Sequence, residues 1–119
     1  MSKQKSKGST FESRCAQHLT ERLGVEVRRN ALMGALDQGD LFGIVIGGKH
    51  FTVECKDYSG KYRLAEWSEE LEREMGFCDT DIGAVIFKMA GAGPKHMEEQ
   101  GVFMRLKTFC ALIEGVVEK

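Results

Sequence analysis

Two apolar runs, DLFGIVI (40–46) and HFTVECKD (50–57), stand on either side of Gly47, Gly48 and Lys49. β-Branched and aromatic residues alternating with polar ones, broken by adjacent glycines, describe two antiparallel strands joined by a tight turn. Successive side chains point to opposite faces of a strand. Phe51, Val53 and Cys55 therefore take one face, and Glu54 and Lys56 share the other, about 6–7 Å apart.

The register of this hairpin decides where Asp40 points. A two-residue turn pairs Ile46 with Lys49 and sets Asp40 opposite Cys55, on the wrong face for Glu54. A three-residue turn pairs Ile46 with His50 and sets Asp40 opposite Lys56. We expect the second register, or a bulge at Gly43 that achieves the same shift.

Around the hairpin, Phe11, Cys15, Leu19 and Leu23 recur every four residues. This spacing predicts a helix over 10–23 with Ser9 or Thr10 as cap and Gly24 as stop. VEVRR (25–29) alternates as a strand, and 30–40 reads as a loop. Residues 63–75 give an amphipathic helix with Leu64, Trp67, Leu71 and Met75 on its buried stripe and Gly76 as terminator. The apolar run 82–89 is a central strand covered on both faces. A glycine-rich loop (90–101), a short strand (102–106) and a last helix capped by Thr108 complete the order αβββαββα, an α/β fold with a mixed sheet flanked by helices. Residues 1–9 read as a flexible basic tail and 10–119 as a single domain.

At 119 residues the chain has the length of one ordinary domain, and no apolar stretch approaches the roughly 20 residues of a membrane span. With no leader readable either, a cytoplasmic location is expected. The four cysteines form no CxxC pair and read as reduced structural thiols. His18, His50 and His96 lack metal-ligand spacing, and Trp67 reads as a core or dimer anchor. Net charge is −1, but Arg14, Arg22, Arg28 and Arg29 fall early, whereas Glu66, Glu69, Glu70, Glu72 and Glu74 crowd one later helix. One end of the molecule can thus face phosphates while the other repels them. Lys88 before the glycine-rich loop and Lys95 within it are available to a DNA backbone.

A carboxylate and an ammonium fixed on one strand face can bracket a phosphate, the acid through a divalent cation and the amine directly. Asp40 supplies a second carboxylate, with Asp37 in reserve. Such oxygens suit Mg²⁺, with Mn²⁺ as substitute, and Lys56 would orient the attacking water and stabilise the transition state.

Gly39-Asp40 followed by VECK (53–56), after a helix carrying Glu12, resembles the PD-(D/E)XK nuclease superfamily; Gly39 stands where the superfamily name has proline. RRNALMGALDQGDLFGI, VECKDYSGKYRLAEWSEELEREMG and GAVIFKMAGAGPKHMEEQGVFMRL narrow the resemblance to small phage-type Holliday-junction resolvases. The resemblance implies a restriction-endonuclease-like fold that binds metal through Asp40, Glu54 and the Cys55 carbonyl. It makes Lys56 catalytic, lets Glu12 reach the metal site, and sets Arg28, Arg29 and the adjoining Asn30 near the DNA. It further implies a homodimer cutting branched or duplex DNA into 5′-phosphate and 3′-hydroxyl ends, with no small-molecule cofactor. Two other readings stand beside it: the same nuclease acting on linear duplex, flap or damaged DNA, and a catalytically silent module that only binds nucleic acid or protein.

Overall fold

The computed structural model describes residues 3–30 and 39–118, with side chains from residue 10 onward. Helix α1 (Lys3–Leu23) begins upstream of Ser9 and Thr10, the caps expected from the sequence. Lys3, Gln4 and Lys5 are themselves good helix formers, so propensity carries the helix past the weak cap signal. Gly24 ends it as expected, with φ +72° and its N–H on the Thr20 carbonyl at 3.0 Å.

Only the last two residues of VEVRR pair as a strand, β1 (Arg28–Arg29). Val27 is diverted: the Thr20 hydroxyl accepts its N–H at 2.9 Å and itself donates to the Ala16 carbonyl at 2.8 Å, tying Val27 to α1 instead of to the sheet. Strands β2 (Leu41–Phe42), β3 (Val45–Ile46), β4 (Lys49–His50) and β5 (Thr52–Lys56) follow, then helix α2 (Leu64–Phe77) and strand β6 (Gly83–Phe87). α2 runs one residue through Gly76, the terminator read from the sequence.

With strand β7 (Gly101–Phe103) at one edge, the main sheet has the order β1-β2-β5-β6-β7, parallel only between β5 and β6, where α2 makes the crossover. Strand β7 pairs antiparallel with β6. The segment before it, expected as a plain loop, contains a 3-10 helix at Pro94–Glu99. The Gln100 side chain braces this segment, accepting the Met89 N–H at 2.8 Å and donating to the Ala92 carbonyl at 2.9 Å. Helix α3 (Leu106–Glu114) starts before Thr108, with Arg105 as N-cap. Thr108 is buried in its first turn, where its hydroxyl accepts the Gly83 N–H at 3.4 Å. Among the described residues no helix is long and apolar enough to cross a membrane.

One apolar cluster lies between the sheet and α1, with Phe11, Cys15, Val53, Cys55 and Ala84; another lies between the sheet and α2, with Trp67, Leu71, Met75 and Val85. Trp67 is a core residue, its ring 5.5 Å from Tyr58 and 5.7 Å from Phe87. All four cysteines are free; Cys15 and Cys55 are buried, but Cys110 is exposed on α3.

The hairpin turn has two residues, with Ile46 opposite Lys49, and not the three-residue alternative. Farther along, however, Leu41 pairs with Val53. Phe42, Gly43 and Ile44 therefore face only Phe51 and Thr52, so the first strand bulges by one residue around Gly43. Gly43 adopts φ +121°, and a Cβ built on it would stand 2.1 Å from the Glu26 carbonyl oxygen. No side chain fits there. Gly43→Ala is expected to lower the unfolding free energy by more than about 2 kcal/mol in urea titrations. Gly48→Ala, at φ +80° but with open space around it, should cost only about 1 kcal/mol.

Candidate active site

The bulge corrects the register. Continued from the turn, the two-residue pairing would set Asp40 opposite Cys55; after the shift Asp40 comes level with Val53 and Glu54, not with Lys56. Its N–H donates to the Val53 carbonyl at 2.8 Å, and its Oδ2 accepts the Cys55 N–H at 2.7 Å. A strand N–H points along the plane of its sheet, so the Asp40 carboxylate sits at the sheet's own level, in place of the next rung of the ladder. Asn30 fixes the backbone behind it, its N–H on the Asp40 carbonyl at 2.7 Å and its Nδ2 on the Gly39 carbonyl at 2.9 Å.

Glu12 approaches Asp40 from α1. Its carboxyl is pushed up to about 7, first by burial and then by the Asp40 carboxylate, against the opposing pull of Arg29. Arg29 Nη2 lies 3.1 Å from Glu12 Oε2. Nearby, the Cys55 thiol is pushed well up by contact with Cys15 and by burial, which keeps it a neutral core thiol.

Glu54 and Lys56 lie on the other face. Parallel pairing puts Glu54 beside Val85 and Lys56 beside Phe87, both of which belong to the apolar layer under α2. Glu54 is 3% exposed, and its Oε1 has no hydrogen-bond partner among the described residues. Lys56 Nζ donates to Glu70 Oε2 of α2 at 2.5 Å. Asp40 and Glu12 are thus together and Glu54 and Lys56 share one face, with Asp40 the cross-strand neighbour of Glu54. Among the described residues no three His, Cys, Asp or Glu side chains are grouped closely enough to hold a metal ion. Asp37 lies outside the described residues.

Of the expected DNA-contacting residues, Arg28, Arg29 and Asn30 line a cleft of about 180 Å³ with Phe42. Arg28 is the open one, 73% exposed, whereas Arg29 is committed to Glu12. Lys88 follows β6 directly; its N–H donates to the Lys56 carbonyl at 2.9 Å, which puts it at the same end of the sheet as the motif. Lys95 is exposed on the 3-10 helix. His18 pairs instead with Glu98, at 3.3 Å.

Nothing in the motif points to Glu70. The glutamates of α2 are expected from the sequence only to repel phosphates, yet Glu70 meets Lys56, and Glu72 receives Lys107 at 2.6 Å and Arg105 at 3.3 Å. The available signal was position: Glu70 adjoins Leu71 at the border of the buried stripe.

A family model described as "Phage putative PDDEXK endonuclease" matches residues 3–90. The chain belongs to this family. The matched span runs from α1 through β6, so it takes in Glu12, Asp40, Glu54, Lys56 and Glu70. No curated protein and no solved structure matches the chain. Bringing the half-buried Glu12 carboxyl against Asp40 carries a cost to the fold.

That cost has a pH signature. The folded pKa of Glu12 lies above its ordinary value of 4.5, so its contribution to stability is fully present below about pH 4.5 and is lost as pH rises through about 7. Glu12→Gln lacks this loss. In EDTA, the melting temperature of Glu12→Gln relative to wild type is expected to rise between pH 4.5 and pH 8; a constant difference would show that Glu12 titrates normally.

Proposed function

We propose that the chain is a divalent-metal-dependent DNA endonuclease whose substrate is a four-way junction, cut by paired nicks from a homodimer. The observation that carries the metal reading is the state of the acids. Asp40 and Glu12 are in mutual contact, with Glu12 pushed up to about 7, and the buried Glu54 Oε1 next along the motif has no partner among the described residues. Crowded, incompletely satisfied carboxylate oxygens fit a hard cation such as Mg²⁺, and Mn²⁺ would substitute.

Asp40, Glu54 and the Cys55 carbonyl would hold the ion, with Glu12 beside it. The ion would supply charge neutralisation at the phosphate and a more acidic water. Among the chain's own groups, the Asp40 carboxylate is oriented by the Cys55 N–H and stiffened by Asn30, so it needs no reorganisation to receive a ligand. The Lys56 ammonium stabilises charge on the phosphoryl oxygens. Arg28, Arg29 and Asn30 flank the scissile phosphate on one side, and Lys88 and Lys95 take the backbone on the other. Junction preference rests on the sequence resemblance, and two symmetric cuts need two sites, hence the dimer.

The test incubates the protein with labelled four-way junction, linear duplex, flap and single strand, in Mg²⁺, Mn²⁺ or EDTA. Paired nicks on the junction, abolished by EDTA, are expected. Asp40→Asn, Glu54→Gln and Lys56→Ala should each slow cleavage on the order of 10²-fold or more. Equal cutting of every substrate would leave a general nuclease. Activity that survives EDTA and Asp40→Asn would remove the metal reading altogether.

A further inference from the structure

Lys56 is not left to find its own place. Its side chain is only 15% exposed, and its ammonium is held at 2.5 Å by Glu70, whose side chain is 27% exposed, from the helix that crosses the sheet behind the motif strand. Other acids of α2 have plainer structural partners: Glu72 takes Lys107 and Arg105 at the start of α3, and Glu66 lies 3.9 Å from Arg63 within its own turn. Glu70 instead pairs with a residue of the motif itself, Lys56.

We infer that Glu70 is a positioning residue for the reaction: it fixes the Lys56 ammonium in the place from which it meets the scissile phosphate. The inference rests on the nuclease reading above and adds to it a residue that the motif does not contain. Two physical arguments support it. A lysine carries four rotatable bonds, and a free ammonium on so long a stem spends little time in any one place. A charge-assisted bond to a carboxylate anchored on a packed helix confines it, and misplacing a reacting group by about 1 Å can cost on the order of 10²-fold in rate. The anchor is rigid because Trp67 and Leu71, on either side of Glu70 along α2, are each 1% exposed. A phosphate arriving at Lys56 can share the ammonium's three donors with Glu70 instead of displacing it.

Single-turnover cleavage of the preferred DNA in Mg²⁺ by wild type, Glu70→Ala, Glu70→Gln, Glu70→Asp, Lys56→Ala and the double variant Lys56→Ala/Glu70→Ala tests this, with DNA affinity measured separately in EDTA and melting temperatures as a check on folding. Glu70→Ala and Glu70→Gln are expected to slow the chemical step by roughly tenfold or more while affinity stays within about twofold. Glu70→Asp should recover part of the rate, and Glu70→Ala should cost nothing further in the Lys56→Ala background, since both act through one ammonium. The rescue by aspartate but not glutamine decides the matter if Lys56→Ala is too slow to follow. Cleavage by Glu70→Ala at or above the wild-type rate, or an equal slowing in both backgrounds, overturns the inference. A wild type that cuts nothing, or a Lys56→Ala that cuts normally, overturns the nuclease reading itself; an inactive Lys56→Ala beside an unaffected Glu70→Ala overturns only the role of Glu70.

Discussion

The close passage of Gly43 under the Glu26 carbonyl is the constraint from which the site follows. A strand has a side-chain period of two, so one inserted residue reverses which face every later side chain takes. Between the Gly47-Gly48 turn and Asp40 that reversal happens once, and it can happen only where a residue without a Cβ tolerates φ +121° and a backbone oxygen in side-chain space. Leu41 then packs against Val53 under α1, and Asp40 comes beside Glu54.

What this geometry assembles is unfavourable taken alone. Asp40 uses its carboxylate to satisfy a strand N–H, Glu12 is brought against it, and Glu54 is buried one position away. Like charges at close range raise one another's proton affinity. Arg29 offsets part of this on the α1 side and contributes a bidentate-capable head in place of a mobile amine.

Much of the architecture was legible in the sequence because it rests on periodicity. The four-residue recurrence from Phe11 to Leu23, the alternation in HFTVECK and the apolar run at 82–89 each correspond to an element of the expected type, and the mixed sheet between helices follows from their order. Failures cluster where a side chain competes with the backbone for hydrogen bonds. Thr20 captures Val27 and shortens β1, Thr108 serves Gly83 from inside α3 instead of capping it, and Gln100 folds a glycine-rich stretch into an ordered bridge. Glu12, Asp40, Glu54 and Lys56 were legible as a motif, and the bulge at Gly43 as the alternative to a three-residue turn, though it sets Asp40 level with Glu54 and not with Lys56. The pairing of Lys56 with Glu70 was not, since it joins residues on two elements whose relative placement no local pattern encodes.

Gly39 has a consequence for the motif's first letter. Its φ of +96° belongs to a backbone that L-residues rarely adopt, and a Cβ there would stand 3.0 Å from the Thr52 methyl and 3.2 Å from the Val53 carbonyl. A pyrrolidine ring holds φ near −65°. The proline that names the superfamily is therefore sterically and torsionally shut out of this position, and the backbone leading into Asp40 takes a left-handed turn that only glycine makes without strain.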